Sequence, residues 1–520
     1  MKRNNIIIGC VGGLLLSSVA VGLYLHRDDQ RRISELESQL STLRQQEQRS
    51  AVDRRVSKQM EEIAYGQQAL SEERSQEAIR QSEIAQRMTL LSEAERKKAI
   101  EAQGIAEQSA TEAMNAYQMA ERQRSEADRQ RQQAEHAKLV ADTLNYISLG
   151  RTLGSQSYSI YQTGNTELGN MLAYASYLYT NNYGGDLYTP AVFQTLIQSA
   201  GGRHSWNSHN GSISRLAVSP RDHRLLTVST FGEIFSHQIK GEQMQTSRLM
   251  SDKAYWFNDL YAAPDGKVYA ISYTGQLVIT DGQQTRIIVV ENVNKPFCLQ
   301  TLNDGKSLLI VGEDCIVLFD IVSEKIVTTR RLDFQVTCMG RRGNKPLLFD
   351  NRGRMHLVNS LDKITNEQVP VKGKVTAYAS NQKEHLTAYG MADGTIWLTD
   401  GSGKTYKLVE HLSRVTRLMF NGRRLYSSAY DGKLLFWSIE NNSQKNAVTL
   451  YQSAHWLNDF TFINNKDYIM VGEHNGTVTR CLISLPKIAQ RLRQNVKRNF
   501  TQEEWNYYVG KGIPYRKVKE

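Results

Sequence analysis

A short signal recurs seven times between residues 209 and 482: a turn glycine followed at once by an apolar strand, at a spacing of about forty residues. The turns read FGEIFS from Phe231, TGQLVI from Thr274, DCIVLF from Asp314, RGRMHL from Arg352, DGTIWL from Asp393, DGKLLF from Asp431 and NGTVTR from Asn475. Glycine stands at 232, 275, 353, 394, 432 and 476, and Cys315 takes the third slot. The tetrapeptide WFND at Trp256 returns as WLND at Trp456, five periods on. A period of this length with room for four short strands predicts a β-propeller, whose blades bury one another's faces and leave loops at both ends for partners. The fold class is therefore mainly β, with a long α-helical N-terminal part.

Two repeats carry the fullest local grammar. His209 is followed by Ile213, Leu216 and Val218; His411 is followed by Val415, Leu418 and Phe420, then by LYSSAYDGKLLFWS. The alternation marks inner strands, and the Asp-Gly pairs at 393 and 431 suit hairpin turns. In the sixth repeat His411, Ser427 or Ser428, Asp431 and Trp437 resemble the buried hydrogen-bond network of WD repeats, which joins the strands of one blade. The same three residue types could suggest a hydrolase, but a nucleophile needs a base in reach and an oxyanion hole. A structural role is expected for His411, Asp431 and Trp437.

Residues 209–482 resemble a seven-bladed WD40 propeller. The resemblance is degenerate: only Asp281, Asp320 and Asp400 stand where the repeat's terminal Asp would, and the Gly-His dipeptide is absent. The wider order of segments, with NTELGNMLAYASYL before the repeats and RNFTQEEWNYYVGKGIPYR after them, resembles the C-terminal half of bacterial STAND-type NTPases with WD40 repeats. The NTPase domain of those proteins has no counterpart here. The resemblance implies a sensor or scaffold half without the motor.

Residues 6–25, IIIGCVGGLLLSSVAVGLYL, hold no charge and have the length of a membrane-spanning helix. Ser18-Val19-Ala20 would allow a cleaved signal peptide, but Val21–Leu25 stay apolar beyond it, which fits an anchor better. A lipoprotein signal ending at Cys10 lacks the preceding apolar stretch. Lys2 and Arg3 favour export of the rest of the chain, whereas Arg27, Arg31 and Arg32 argue for the cytoplasm. The expectation is a single-pass bacterial inner-membrane protein, the periplasmic side preferred. Gly9 and Gly13 have the spacing of a helix-dimer face, although in so Gly-rich a segment chance explains it equally well.

Residues 28–143 contain no proline and only Gly66 and Gly104. Ile33, Leu36, Leu40 and Leu43 step as a coiled-coil seam does, as do Ile84, Met88 and Leu91. One helix through this region would extend ~170 Å, and its polarity calls for pairing with a second copy or another chain; a solvated single helix is the alternative. A helical collar is expected over 144–200 as three short helices, with Leu168, Leu172, Ala175 and Tyr179 on one face. The propeller then covers 201–485, and a basic helical tail 486–520, behind an anchor at 1–27. Residues 200–206 are expected to supply the outer strand of the last blade and so close the ring. In the tail, Thr501 and Glu504 form a capping box, and Trp505 and Tyr508 make an apolar face for docking on the propeller.

The net charge of +11 is partly due to residues 487–520, with nine Lys or Arg against three acids. No run of basic and stacking aromatic residues supports nucleic-acid binding. Cys10, Cys298, Cys315, Cys338 and Cys481 form no metal-ligand spacing and read as buried apolar residues. Gly305-Lys306-Ser307 and Gly403-Lys404-Thr405 lack the earlier glycine of a phosphate-binding loop and fall in blade turns. No catalytic, cofactor or metal residues are assigned, and the chain is expected not to be an enzyme. The expected function is a membrane-anchored interaction scaffold for other proteins, spaced and oligomerised by its coil. Trp256, Asn258, Trp456 and Asn458 are the candidate partner-binding residues, with blade packing as their alternative role. The rivals are an enzyme or small-ligand sensor using the central channel, and a passive envelope tether.

Overall fold

The computed structural model of the chain describes residues 77, 80–97, 112–302, 305–439 and 447–519. The chain divides into Met1–Tyr65 and Gly66–Glu520. The proposed membrane span and the first half of the rod lie outside the described residues. Among the described residues no helix is long and apolar enough to cross a membrane.

Twenty-eight described strands, β1 to β28 in chain order, make seven four-stranded antiparallel sheets. Six sheets use four consecutive strands each. The seventh is built from β26 (Leu457–Ile463), β27 (Tyr468–Glu473), β28 (Thr477–Leu482) and β1 (His204–Asn207), taken from before the first blade. His204 to Asn207 pair with Arg480 to Thr477, so the ring closes by the latch that residues 200–206 suggested. Every recurring turn identified in the sequence leads into the third strand of a blade. Gly432 shows why: its φ is 78°, and a Cβ there would overlap the carbonyl oxygen of Ser453.

Each blade face is packed on its neighbour by its own apolar cluster. The seam between blades 7 and 1 is small, with Ile213, Leu216, Leu225, Ile463, Met470 and Val478 buried. The seam between blades 6 and 7 is far larger because helices extend it. Val192, Phe193, Leu196 and Ala200 of one helix and Ile488 and Leu492 of another join Phe436, Phe460 and Val471 in one cluster. Cys298, Cys315, Cys338 and Cys481 are all buried and unpaired, as small apolar residues would be.

The helical part departs from the sequence expectation in three ways. Residues 80–97 form one helix, α1, and Glu112–Gln162 form another, α2. Arg129 pairs with Glu95 at 2.7 Å and Arg151 with Glu77 at 2.5 Å, so the two run side by side in opposite directions. A single extended helix through this stretch is thereby excluded; the chain turns back on itself. Second, α2 runs unbroken past residue 143, so the collar holds only two helices of its own, α3 (Thr166–Asn182) and α4 (Pro190–Ala200). Third, the C-terminal tail does not dock its aromatic face on the propeller. Phe500, Trp505 and Val509 pack with Leu153 of α2 and with Leu168, Leu172, Ala175 and Tyr179 of α3. The capping box at Thr501 and Glu504 is present, and Glu504 also takes both guanidinium nitrogens of Arg498, at 2.6 and 2.7 Å.

Gly150 and Gly154 let α2 touch its neighbours. A Cβ on Gly150 would strike Thr180 of α3, and one on Gly154 would strike the Ala191 carbonyl of α4. In the gap left, Ser176 donates to the Gly150 carbonyl at 2.6 Å. Gly154→Ala is expected to destabilise the collar by about 1–3 kcal/mol through overpacking, seen as a lower urea midpoint with little change in the sheet signal.

Candidate functional site

The axis of the ring is lined by the first strand of every blade: β2 (Ile213–Val218), β6 (Phe257–Ala262), β10 (Cys298–Leu302), β14 (Val336–Arg342), β18 (Val375–Asn381), β22 (Val415–Asn421) and β26. In six of them the pairing register slips after the first residue, as at Ile213/Arg215 and Leu457/Asp459. One residue is thus extruded from the ladder, a β-bulge. Position 0 precedes the strand, position 1 opens it, position 2 is the bulged residue, and positions 3 and 4 follow. In the third blade these are Lys295, Pro296, Phe297, Cys298 and Leu299, placed by the pairing of Cys298 with Val311.

The bulged residues join the blades. Asn258 donates to the carbonyl of Pro296, Thr337 to Val375, Thr376 to Val415, Thr416 to Leu457 and Asn458 to Ile213, at 2.7–3.0 Å. Each acceptor is the position 1 carbonyl of the next blade. Position 3 extends the link in two blades: Asp259 accepts from the amide of Leu299, and Asp459 from that of Leu216, at 2.8 and 2.9 Å.

The repeated Trp-x-Asn-Asp therefore divides into separate tasks. Trp256 and Trp456 stand at position 0, 53% and 51% exposed. Trp256 stacks on Tyr273 (5.6 Å between centroids), and Trp456 on Tyr430 (4.9 Å). With Phe231, also exposed, they form an aromatic arc over blades 6, 7, 1 and 2 on one face of the ring. Asn258 and Asn458 are half-buried and engaged between blades. Of the four candidate residues, the tryptophans face outward and the asparagines hold the ring.

The aspartates, passed over in the sequence, face the channel. The seven position 3 residues are Arg215, Asp259, Cys298, Cys338, Ala377, Arg417 and Asp459. Arg215 bridges Asp259 at 2.7 Å and Asp459 at 3.4 Å, and Arg417 reaches Asp459 at 3.4 Å. Burial works against the Arg215 charge, and Asp259 and Asp459 more than compensate, so its pKa lies well above the usual value. On either side of this belt opens a chamber, of about 730 Å³ toward the tryptophans and 780 Å³ toward the other face. Both carboxylates already accept backbone amides and guanidinium groups. Among the described residues no three His, Cys, Asp or Glu side chains converge as a metal-ligand set.

The network expected in the sixth blade is complete. His411 Nδ1 lies 3.0 Å from Asp431 and Nε2 2.8 Å from the Ser427 hydroxyl, which also accepts from the Trp437 indole at 2.9 Å. The first blade holds a second version that the sequence reading missed. His209 contacts Glu233 at 3.0 Å and Thr227 at 2.6 Å, and Thr227 contacts His237 at 2.7 Å. The ten-residue step from Ser427 to Trp437 recurs from Thr227 to His237, a signal that was available. Burial, and then the neighbouring His209, push His237 down to about 3. Glu233 is held at about 2: burial opposes ionisation, but hydrogen bonds from His209, Ser229 and Asn210 outweigh it. Gly403-Lys404-Thr405 lies in a hairpin whose amides are taken, since Asp400 accepts from Ser402 and Lys404 at 3.0 and 3.1 Å.

No protein-family model matches the chain, and no curated protein matches it.

His237 stays neutral when folded until about pH 3, while the unfolded chain protonates near 6.5. Its contribution is full above that value and declines by ~1.4 kcal/mol per pH unit below it. His237→Gln is expected to flatten the fall in thermal midpoint between about pH 7 and 5, measured by circular dichroism. Glu233→Gln should act only lower, where the unfolded carboxylate protonates.

Proposed function

We propose that the chain is a non-enzymatic protein-interaction scaffold, held to the bacterial inner membrane by residues 6–25 and oligomerised through its polar helices. The observation that carries this reading is the aromatic arc of Phe231, Trp256, Tyr273, Tyr430 and Trp456. Large rings left half in solvent on a rigid support are the residue types that dominate binding energy at protein interfaces. The inter-blade bonds fix the strands beneath them, so little order has to be gained on binding. Apolar residues along α1 and α2, including Ile84, Leu91 and Leu139, are exposed in the single chain and would be covered by a second copy. A catalytic use of the channel finds less support, because Asp259 and Asp459 are engaged by amides and Arg215 rather than left to act as bases. Export of the propeller to the periplasm is retained as part of the proposal.

Crosslinking in intact membranes tests it. A partner captured by the full chain should be lost with Trp256→Ala/Trp456→Ala, while the thermal midpoint moves by less than about 0.5 kcal/mol equivalent because both rings are exposed. Capture unchanged by the double substitution rejects the face as the docking surface.

A further inference from the structure

The position 0 ring around the tryptophan face reads Ser212, Trp256, Lys295, Gln335, Lys374, Arg414 and Trp456: three cations and no acid. Lys295 meets Glu313 at 3.4 Å. Among the described residues no carboxylate lies within ion-pair distance of Lys374 or Arg414, and Arg414 sits 5.9 Å over the Tyr430 ring. At the belt the charges balance. There Arg215 bridges Asp259 and Asp459, and Arg417 Nε meets Asp459 at 3.4 Å, so two arginines face two aspartates. The far chamber is lined by Arg341, Lys383 and Lys466, against Glu384, which pairs with Arg423, and Asp259, which pairs with Arg215. Cations thus outnumber acids at the tryptophan mouth and again in the far chamber, with Tyr378 and Met339 lining both.

We infer that the channel receives an extended acidic peptide segment of the partner, entering between the tryptophan arc and Lys374–Arg414 and placing carboxylates opposite the cations of the mouth and of the far chamber. This deepens the scaffold reading and rests on it. A low-dielectric tube with an excess of one sign of charge focuses its field on the axis and draws the opposite charge in. A single small anion would meet one group of cations and leave the rest of two chambers empty. An extended chain advances ~3.3 Å per residue and can answer both. The aromatic rim supplies the apolar contact that charge alone does not.

The test uses the full chain in detergent and a fluorescein-labelled hexaglutamate peptide, followed by anisotropy. Saturable one-to-one binding is expected, weakening steeply as salt rises from ~0.05 to ~0.3 M. Lys374→Ser/Arg414→Ser, at the exposed mouth, should weaken it about tenfold with unchanged melting. Lys517→Ser/Lys519→Ser, in the basic tail, should leave it unaltered. Citrate and phosphate are titrated separately, as is a hexalysine control. The inference falls if hexaglutamate does not bind at low salt, if hexalysine binds equally, if only citrate or phosphate binds, or if the tail substitutions abolish binding and the mouth substitutions do not. Failure here with partner capture still dependent on Trp256 and Trp456 removes the acidic segment alone. Capture that ignores the tryptophans removes the docking face, whatever the titration gives.

Discussion

The ring is held at its axis by bonds that five of the seven inner strands make to the next one through the residue at position 2. A bulge interrupts the ladder, and the carbonyl beside it meets the Thr or Asn side chain of the preceding blade. Leaving such a buried group without a partner would cost about 1–3 kcal/mol. Five blades carry this link. Because it draws on side chains at one position, it fixes the angle between blades as well as their contact. The direction of every position 0 and position 3 side chain follows from it. The aromatic arc and the charged belt are thus the outer and inner edges of one construction.

That construction explains how much could be read from the chain. The propeller, its turn glycines, the His411 network and the Thr501 capping box depend on local spacing, and local spacing is written in the sequence; the latch follows from the outer strand that the last blade lacks after Leu482. The Trp-x-Asn-Asp repeat was visible but not divisible. The bulge that turns Trp256 outward, Asn258 sideways and Asp259 inward has no mark of its own, so the tryptophan and asparagine were taken as one surface and the aspartate was passed over. The cationic positions 295, 374 and 414 were hidden for the same reason. They align only once the pairing register assigns each blade its position 0.

The helical half shows the opposite limit. An apolar face announces that it will be covered and does not say by what. Trp505 and its neighbours were expected on the propeller and lie on α2 and α3 instead, where Arg498 also reaches Glu167 at 3.2 Å. The reversal between α1 and α2 rests on ion pairs between residues 34 and 74 positions apart. Such contacts leave no periodic trace, and surface pairs of this kind specify geometry more than they stabilise it. The absent side chains of Gly150 and Gly154 are what allow α3 and α4, respectively, to approach α2.

The latch has a mechanical consequence. The chain enters the ring through β1, directly after α4, and leaves it from β28, directly before the tail helix Leu485–Asn495. Both ends of the toroid therefore meet in one sheet. Tension transmitted along α2 and α4 arrives at a ladder of four residue pairs, His204–Asn207 on Thr477–Arg480. The tail, folded back on the same helices, ties the exit of the ring to its entrance.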